Sequence, residues 1–285
     1  MRVLVLGGSG MLGHKVYQKC REGFDTQVTM RGDRSKKGSV FDPSHILKID
    51  HSDIEDPRSL VEKANPGVVI NCIGITNPRN VIETYLVNAV FPHKLASACD
   101  LQGSKLIHIS TDCVFSGRHG GYTELSVPDP TSLYGWSKLL GEIALPQCLT
   151  LRTSFIGREI VLRSKLSLLE WLFSKKGTRI TGYTHAIFSG VTADRLSQLI
   201  VDIVETKCLT GGLFHVGGKP ISKYNLLKRL IREFDLGITV IPDSEVKCDR
   251  SFSSSKFYRV TGFAISDWPQ MIKELRINSH EDYHG

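Results

Sequence analysis

The stretch GGSGMLG, residues 7–13, follows the apolar run RVLVL (residues 2–6) and opens a helical pattern that extends from Met11 to about Cys20. Glycines at the end of a first strand permit a tight turn, let backbone N–H groups approach a pyrophosphate, and let the helix pack closely against the strand. The helix N-terminus also directs its partial positive charge at the phosphates. This order of strand, glycines and helix predicts dinucleotide binding. The cofactor-binding residues predicted there are Gly7, Gly10, Met11, Leu12 and Gly13.

Predicted strands and helices alternate through the first half of the chain. After residues 2–6, apolar runs predict strands at residues 26–30, 45–49, 68–74, 105–110 and 148–155, and helical patterns lie near residues 56–64, 80–99 and 131–145. The strand runs are continuously apolar, which is typical of a parallel sheet covered on both faces. We therefore predict an α/β fold with a Rossmann-type doubly wound parallel sheet, in which residues 1–157 form the cofactor domain.

The second half has a weaker pattern. Helices are predicted at residues 167–173, 193–205 and 222–234, with a strand at residues 213–218. The last 50 residues are expected to be irregular, with a short helix at the end. Because no linker composition separates the halves, we predict a smaller C-terminal α/β substrate domain, residues 158–285, packed on the first domain and returning some segments to it.

The composition is that of a globular protein, since 41% of the 285 residues are apolar and 23% are charged. No two of the seven cysteines lie closer than fourteen positions, which excludes C-x-x-C sites, so we expect reduced thiols and no metal. The net charge of +7 is dispersed, without the basic stripe of a nucleic-acid-binding protein. No apolar run approaches the roughly 18–20 residues of a membrane span, and the start does not resemble a signal peptide. We expect a soluble, cytoplasmic protein with no membrane or nucleic-acid partner.

Arg31 lies where the second predicted strand ends, the position at which an Asp or Glu would bind the ribose of NAD. A guanidinium there suits the 2′-phosphate of NADP through paired hydrogen bonds. Further basic residues follow at Arg34, Lys36 and Lys37. We therefore predict NADP(H) as the cofactor, and the nearby Asp33 leaves NAD(H) open.

Thr111, Tyr134 and Lys138 form a third constellation, in the segments HISTDCVFSG and YGWSK. A free tyrosine titrates near pH 10 and needs a stabilised phenolate to serve as an acid or base. A lysine four residues later on one helix lies on the same face, where its ammonium is expected to lower the tyrosine pKa and to hold the nicotinamide ribose. A strand-end hydroxyl, Thr111, then orients the substrate oxygen. These three residues are the predicted catalytic group.

With these motifs the chain resembles the extended short-chain dehydrogenases/reductases, and among them the dTDP-4-dehydrorhamnose reductases. The matching segments are GGSGMLG, VINCIG, VNAVFPHKLA, STDCVFSG, YGWSKLLGE, LRTSFIG, FHVGGKPISKYNLLKRL and CDRSFSSSKF. The resemblance implies NADP(H) in the first domain and a nucleotide-linked keto-deoxysugar under the C-terminal part. A homodimer is compatible with it.

The resemblance also implies roles for further residues. Asp50 and His51 would lie by the adenine, and Cys72, Ile73 and Gly74 would line the dinucleotide, as Tyr134 and Lys138 do. Asn88 would support the strand that carries Thr111. Asp112, Cys113 and Arg250 would contact the substrate. Arg250 is the first candidate for the diphosphate among the basic residues of the second half, which include Arg158, Arg163, Lys219 and Arg250.

Two departures leave alternatives open. Cys113 stands where the rhamnose enzymes usually have tyrosine, and GDP-fucose synthase carries an acid–base cysteine at this place. The histidine that acts with this cysteine in GDP-fucose synthase has no clear counterpart here, and His185 is the only nearby candidate. Cys113 is therefore interpreted as lining the pocket. Asp112-Cys113 also lacks the Glu of the dehydratases. The regulatory β subunit of methionine adenosyltransferase shares the fold, which leaves a non-catalytic NADP-binding role as the alternative. His108 is interpreted as a packed residue of a core strand.

Overall fold

A computed structural model of the chain describes residues 1–32, 40–160, 167–207 and 210–283. The strands are β1 (Arg2–Leu6), β2 (Asp25–Arg31), β3 (Ile46–Ile49), β4 (Val68–Asn71), β5 (Lys105–Thr111), β6 (Cys148–Thr153), β7 (Phe155–Ile156), β8 (Arg179–Phe188), β9 (Val191–Thr192), β10 (Gly212–Val216), β11 (Ile221–Ser222) and β12 (Thr239–Asp249). The helices are α1 (Met11–Cys20), α2 (His51–Glu55), α3 (Arg58–Ala64), α4 (Val81–Tyr85), α5 (Phe91–Gln102), α6 (Leu133–Leu140), α7 (Leu168–Phe173), α8 (Ala193–Glu205), α9 (Lys223–Glu233), α10 (Ser255–Thr261) and α11 (Trp268–Tyr283). A π-helical turn, Leu86–Val90, joins α4 to α5.

The main sheet has seven parallel strands in the order β10-β6-β5-β4-β1-β2-β3. The order reverses between β1 and β4, because the chain runs outward from β1 through β2 to β3 and then returns to β4. In such sheets ligands bind at the carboxyl ends of the strands, beside this reversal. The predicted Rossmann-type α/β fold is therefore confirmed.

Both faces of the sheet are covered, as the continuously apolar strands predict. Alternate side chains of β1 point to opposite faces of the sheet. Val3 and Val5 lie in the hydrophobic core between the sheet and helices α1 and α8. Leu4 and Leu6 lie in the core on the other face, under α3 and α5. A buried ion pair, Lys15 Nζ to Asp194 Oδ1 at 3.0 Å, ties α1 to α8. No helix in the described ranges is long and apolar enough to cross a membrane.

A smaller sheet, in the order β11-β8-β12, lies in the second half. The expectation that the last 50 residues are irregular is wrong, because they contain the eleven-residue β12, α10 and the sixteen-residue α11. β12 is largely exposed and contains Pro242, so it has no apolar pattern to reveal it, and it is a strand because it pairs with β8. Since β10 belongs to the main sheet, residues 158–285 do contribute a strand to it, and the domain boundary at 157/158 stays a prediction.

Candidate active site

The glycine loop between β1 and α1 is held by β2. Gly7 N–H donates to Thr29 Oγ1 at 3.0 Å, and Gly8 N–H donates to the Thr29 carbonyl at 3.0 Å. Gly7 has a φ of +85°, and a Cβ on Gly13 would overlap the Gly7 carbonyl oxygen. The loop therefore requires glycine at both positions for this backbone to fold onto itself.

The N-terminus of α1 fits a pyrophosphate. Its N-cap residue, Gly10, offers no side chain to the first helical N–H groups, and no acidic residue lies in the first turn. These donors, together with the helix dipole, favour an anion close to the backbone. The side-chain-free cradle and the donor set thus suit the phosphates of a dinucleotide.

The predicted adenosine-binding residues follow the next two strands. Arg31 is the last residue of β2 and is exposed at the carboxyl edge, while Asp33, Arg34, Lys36 and Lys37 lie outside the described residues. Asp50 follows β3 and caps α2, where its carboxylate accepts the Ser52 N–H at 2.7 Å. Both Asp50 and His51 are exposed. β2 and β3 thus bring a cation and a carboxylate to the same edge as the glycine loop.

Residues 72–74 leave β4 instead of extending it, so the predicted strand is shorter than expected and ends at Asn71. Cys72 and Ile73 abut Gly7 across the sheet, where a Cβ on Gly7 would lie 3.1 Å from Ile73 Cγ1. Asn88 on the π-helical turn binds the same loop, since it accepts from Ile75 N–H at 2.8 Å. Its amide also donates to Ser137 Oγ on α6 at 3.0 Å. The prediction that Asn88 supports β5 is therefore wrong, because its partners are this loop and α6.

Thr111 ends β5, and Tyr134 and Lys138 lie one turn apart on α6, which packs over that strand end. The Thr111 hydroxyl donates to Asp112 Oδ1 at 3.2 Å and accepts Cys113 N–H at 3.2 Å. Thr111, Asp112 and Lys138 are buried, and Tyr134 is half-buried. The three predicted catalytic residues are therefore in one place, beside the loop that follows β4.

Burial is the largest cause of the pKa shifts of both Tyr134 and Lys138. It raises the pKa of Tyr134, with the neighbouring Cys113 acting in the same direction and the Thr111 hydroxyl opposing it. It lowers the pKa of Lys138 to about 8, while Glu142 opposes this change. The expected lowering of the Tyr134 pKa by Lys138 is thus wrong here, since burial raises this pKa and the group that opposes it is the Thr111 hydroxyl. The phenol is protonated at neutral pH and can donate.

The substrate side of the site is formed by residues far apart in the chain. Arg250, just after β12, donates through Nε to the Phe115 carbonyl at 3.0 Å and through Nη1 to Cys113 Sγ at 3.6 Å. Burial and the Asp112 carboxylate raise the pKa of Cys113 to about 11, so this thiol is protonated at neutral pH. Burial also raises the Asp112 pKa, with Arg250 and Lys223 opposing it.

The sequence interpretation missed Lys223, the first residue of α9. Its Nζ lies 4.6 Å from the centre of the Phe188 ring, and it faces the Asp112, Cys113 and Arg250 side chains. Burial lowers its pKa. Lys223 lies inside the segment FHVGGKPISKYNLLKRL, where nothing distinguishes it from the other basic residues of an amphipathic helix. A second cation therefore faces the pocket beside Arg250.

The other basic residues of the second half lie elsewhere or outside the described residues. Arg158 donates to Glu170 at 2.6 Å, Lys219 is exposed, and Arg163 is not among the described residues. Within the described ranges, no group of three or more His, Cys, Asp or Glu side chains could hold a metal ion. The sequence HEDYH at residues 280–284 has the spacing of a zinc-binding H-E-x-x-H motif, and its side chains are not described.

Comparison with known proteins gives a family match over most of the chain. The family model described as RmlD substrate binding domain matches residues 1–275. A probable low-salt glycan biosynthesis reductase of Haloferax volcanii is 30% identical over 262 residues, which cover 87% of this chain and 85% of that protein. The methionine adenosyltransferase 2 subunit beta of Danio rerio is 34% identical over 146 residues, which cover 50% of this chain and 42% of that protein.

A solved structure shares the fold. The crystal structure of a dTDP-4-dehydrorhamnose reductase from Bacillus anthracis, in complex with NADP, has a TM-score of 0.78 at 23% identity, and the match covers 98% of this chain and 99% of that one. The reductase names of the family members agree with the predicted oxidoreductase class. The match over residues 1–275 and the Haloferax relative together confirm the resemblance that the motifs indicated, and this chain belongs to the family of the RmlD substrate binding domain.

Proposed function

We propose that this protein uses NADPH to reduce a keto group on a nucleotide-activated deoxysugar, as a dTDP-4-dehydrorhamnose reductase does. The observation that carries the proposal is the meeting of Thr111, Tyr134 and Lys138 at the carboxyl edge of the sheet, beside the glycine loop. The family match and the reductase names of its members support the reaction class.

NADPH, when bound, supplies the hydride for the keto carbon. The Thr111 hydroxyl, which donates to Asp112 Oδ1 in this structure, turns to donate to the carbonyl oxygen of the substrate. Tyr134, whose raised pKa keeps it protonated, donates a proton to the developing alkoxide. Lys138 holds the nicotinamide ribose and stabilises the phenolate left on Tyr134. Arg250 and Lys223 bind the anionic part of the substrate, because two cations face this pocket and, among the described residues, Asp112 is the carboxylate that interacts with both.

The test compares wild type with Tyr134→Phe on a panel of 4-keto nucleotide sugars that includes the dTDP derivative. Removal of the phenolic oxygen takes away the proton donor and little volume, so we expect retained NADPH affinity and loss of nearly all reduction. Tyr258→Phe, an exposed tyrosine on α10, is the matched control and is expected to behave as wild type. Wild type that reduces none of the panel contradicts the proposal.

A non-catalytic regulatory role is the second candidate, and it is favoured by the relatives named methionine adenosyltransferase 2 subunit beta. Under that role the wild type reduces no nucleotide sugar and a partner protein co-purifies with it. Since these matches cover about half of this chain and less than half of those proteins, the reductase remains the better supported function.

A further inference from the structure

Asn71, His108 and Lys138 form a row of buried polar side chains beneath the site. Asn71 Nδ2 lies 3.1 Å from His108 Nδ1, and His108 Nε2 lies 3.4 Å from Lys138 Nζ. Asn71 and His108 are fully buried and Lys138 is 3% exposed. Asn71 ends β4 and pairs with His108 in the neighbouring strand β5, so their side chains share the face on which α6 lies. The proposed reaction uses only Lys138.

A backbone N–H group determines which atoms donate and which accept hydrogen bonds along this row. Ile73 N–H donates to Asn71 Oδ1 at 3.0 Å. A backbone N–H can only donate, so the amide oxygen of Asn71 faces Ile73 and its NH₂ group faces His108. His108 Nδ1 must then accept this hydrogen bond. The proton of the neutral imidazole is consequently on Nε2, the nitrogen that faces Lys138.

With its proton on Nε2, His108 presents a hydrogen-bond donor to Lys138, which disfavours the ammonium form of that lysine. His108 Nε2–H and a protonated Lys138 are both donors, so the 3.4 Å contact becomes a hydrogen bond only when Nζ is a neutral amine. His108 is itself neutral, because burial and the neighbouring Lys138 hold its pKa well below the ordinary value. The opposite tautomer would place a lone pair on Nε2 and would stabilise the ammonium instead.

Other groups around Lys138 do not cancel this effect. Glu142, just beyond the C-terminus of α6, favours the ammonium, but its carboxylate already accepts two hydrogen bonds of 2.8 Å from Arg152. Cys72, on the loop after β4, favours the ammonium only as a thiolate, and burial raises the pKa of this thiol. Tyr134 is protonated. The tautomer of His108 thus decides whether Lys138 Nζ faces a hydrogen-bond donor or an acceptor.

We propose that Asn71 and His108 are positioning residues that hold Lys138 Nζ and, through the direction of their hydrogen bonds, set the pH above which the reductase loses activity. The inference rests on the proposed function, in which the Lys138 ammonium is required. Because Ile73 lies on the loop predicted to line the dinucleotide, the backbone of the cofactor site imposes the direction of the row.

Asn71→Asp reverses that direction. The carboxylate still accepts Ile73 N–H but cannot donate to His108 Nδ1, so the imidazole moves its proton to Nδ1 and presents a lone pair to Lys138. We expect the alkaline limit of kcat to rise by about one pH unit from a wild-type value near 8, which increases the active fraction at pH 9 from about a tenth to about half. Asn88→Asp makes the same amide-to-carboxylate change at another buried asparagine, whose partners are Ile75 and Ser137 and not His108. This variant is expected to leave the alkaline limit of kcat unchanged.

A second measurement does not depend on activity. The ¹⁵N chemical shifts of His108 distinguish its tautomers, and we expect Nε2–H in wild type and Nδ1–H in Asn71→Asp. A wild-type proton on Nδ1 overturns the inference whether or not any nucleotide sugar is reduced, so its failure is distinct from failure of the reductase assignment.

His108→Phe supplies an independent variant if Asn71→Asp does not fold. It keeps the ring volume and removes both nitrogens, so the alkaline limit is expected to move by at least about half a pH unit, and Asn71→Asp is expected to add nothing in that background. An unmoved limit in His108→Phe, or an equal effect of Asn71→Asp with and without the imidazole, overturns the inference.

Discussion

Arg250 and Cys113 are 137 residues apart in the chain, and Arg250 Nη1 donates to Cys113 Sγ at 3.6 Å. The contact forms because the loop after β5 binds, through backbone hydrogen bonds, the last residue of β12 and the segment that follows it. Asp249 N–H donates to the Gly117 carbonyl at 2.7 Å, and Tyr122 N–H donates to the Ser251 carbonyl at 2.9 Å. Gly117, with φ of +87°, lies so close to Cys248 that a Cβ there would crowd its sulfur. The pairing places a cation from the second half beside the strand end that carries Thr111.

The first prediction concerns the substrate's anionic part. Arg250→Met and Lys223→Met are each expected to weaken binding of the preferred nucleotide about ten- to a hundredfold, because each removes a half-buried cation that faces the pocket. The measurement is a thermal-shift titration with dTDP, UDP, GDP and CDP in the presence of NADP. Lys228→Met, an exposed lysine on the same helix as Lys223, is the matched control. If none of the four nucleotides changes the melting temperature of wild type, the nucleotide-sugar assignment fails.

The second prediction concerns cofactor choice. Arg31 ends β2 at the carboxyl edge, where a charge-assisted hydrogen bond to a 2′-phosphate contributes about 1.5–3 kcal/mol. NADPH is expected to bind more tightly than NADH, and Arg31→Ala is expected to narrow the difference about ten- to a hundredfold. Fluorescence titration measures both affinities, with the exposed Lys63→Ala on α3 as the control. Equal affinities in wild type would contradict NADP selectivity.

The third prediction tests the glycine loop. Gly13→Ala places a Cβ against the Gly7 carbonyl oxygen, so the loop must open, with an expected loss of at least about 1–3 kcal/mol in the free energy of unfolding and loss of dinucleotide binding. Gly23→Ala, in the exposed turn after α1, is the matched control, because its Cβ would make an ordinary contact of 3.6 Å with Glu205 Oε1. Urea unfolding and NADPH titration measure both effects. An alanine tolerated equally at the two positions would show that the close approach at Gly13 is unnecessary.

The fourth prediction separates a pocket-lining Cys113 from an acid–base Cys113. Because its pKa is raised to about 11, the thiol is a poor base at neutral pH, so we expect a plain reductase without epimerisation. In D₂O, deuterium from solvent should not appear on the carbons next to the ketone, and labelled NADPH should deliver deuterium only to the reduced carbon. Solvent exchange that Cys113→Ser suppresses would instead support the GDP-fucose-synthase-like reading.

The fifth prediction concerns acid stability. Burial and the adjacent Arg152 lower the pKa of His215 to about 3, whereas an unfolded histidine titrates near 6.5. Between these values the unfolded chain binds a proton that the folded chain does not, so His215 makes stability fall as the pH drops through this window. From pH 7 to pH 5 the expected loss from this group is about 2 kcal/mol.

His215→Gln removes that titration, so its free energy of unfolding should fall less than that of wild type over the same interval, measured by urea unfolding at pH 7 and pH 5. His93→Gln, an exposed histidine on α5, should fall as wild type does. The same loss in wild type and in His215→Gln would show that His215 is not the source.

The sequence alone was enough to predict the Rossmann-type sheet and the position of the glycine loop, because local rules control both. Continuous apolar runs mark strands buried on two faces, and Gly7 and Gly13 are needed wherever a backbone folds onto itself. The same reasoning put Thr111 at a strand end and Tyr134 one helical turn from Lys138. Their catalytic roles stay predictions.

Tertiary structure decided what no local pattern records. β12 is a strand because it pairs with β8, and Arg250 and Lys223, which come from different elements of the second half, both face Cys113. His108 was interpreted as a packed residue, yet its two nitrogens contact Asn71 and Lys138 from different elements. Burial, which depends on the whole fold, also reversed the expected direction of the Tyr134 pKa. Local sequence specifies the elements of the main sheet, whereas contacts between residues distant in the chain decide the formation of β12 and the charges and proton positions within the site.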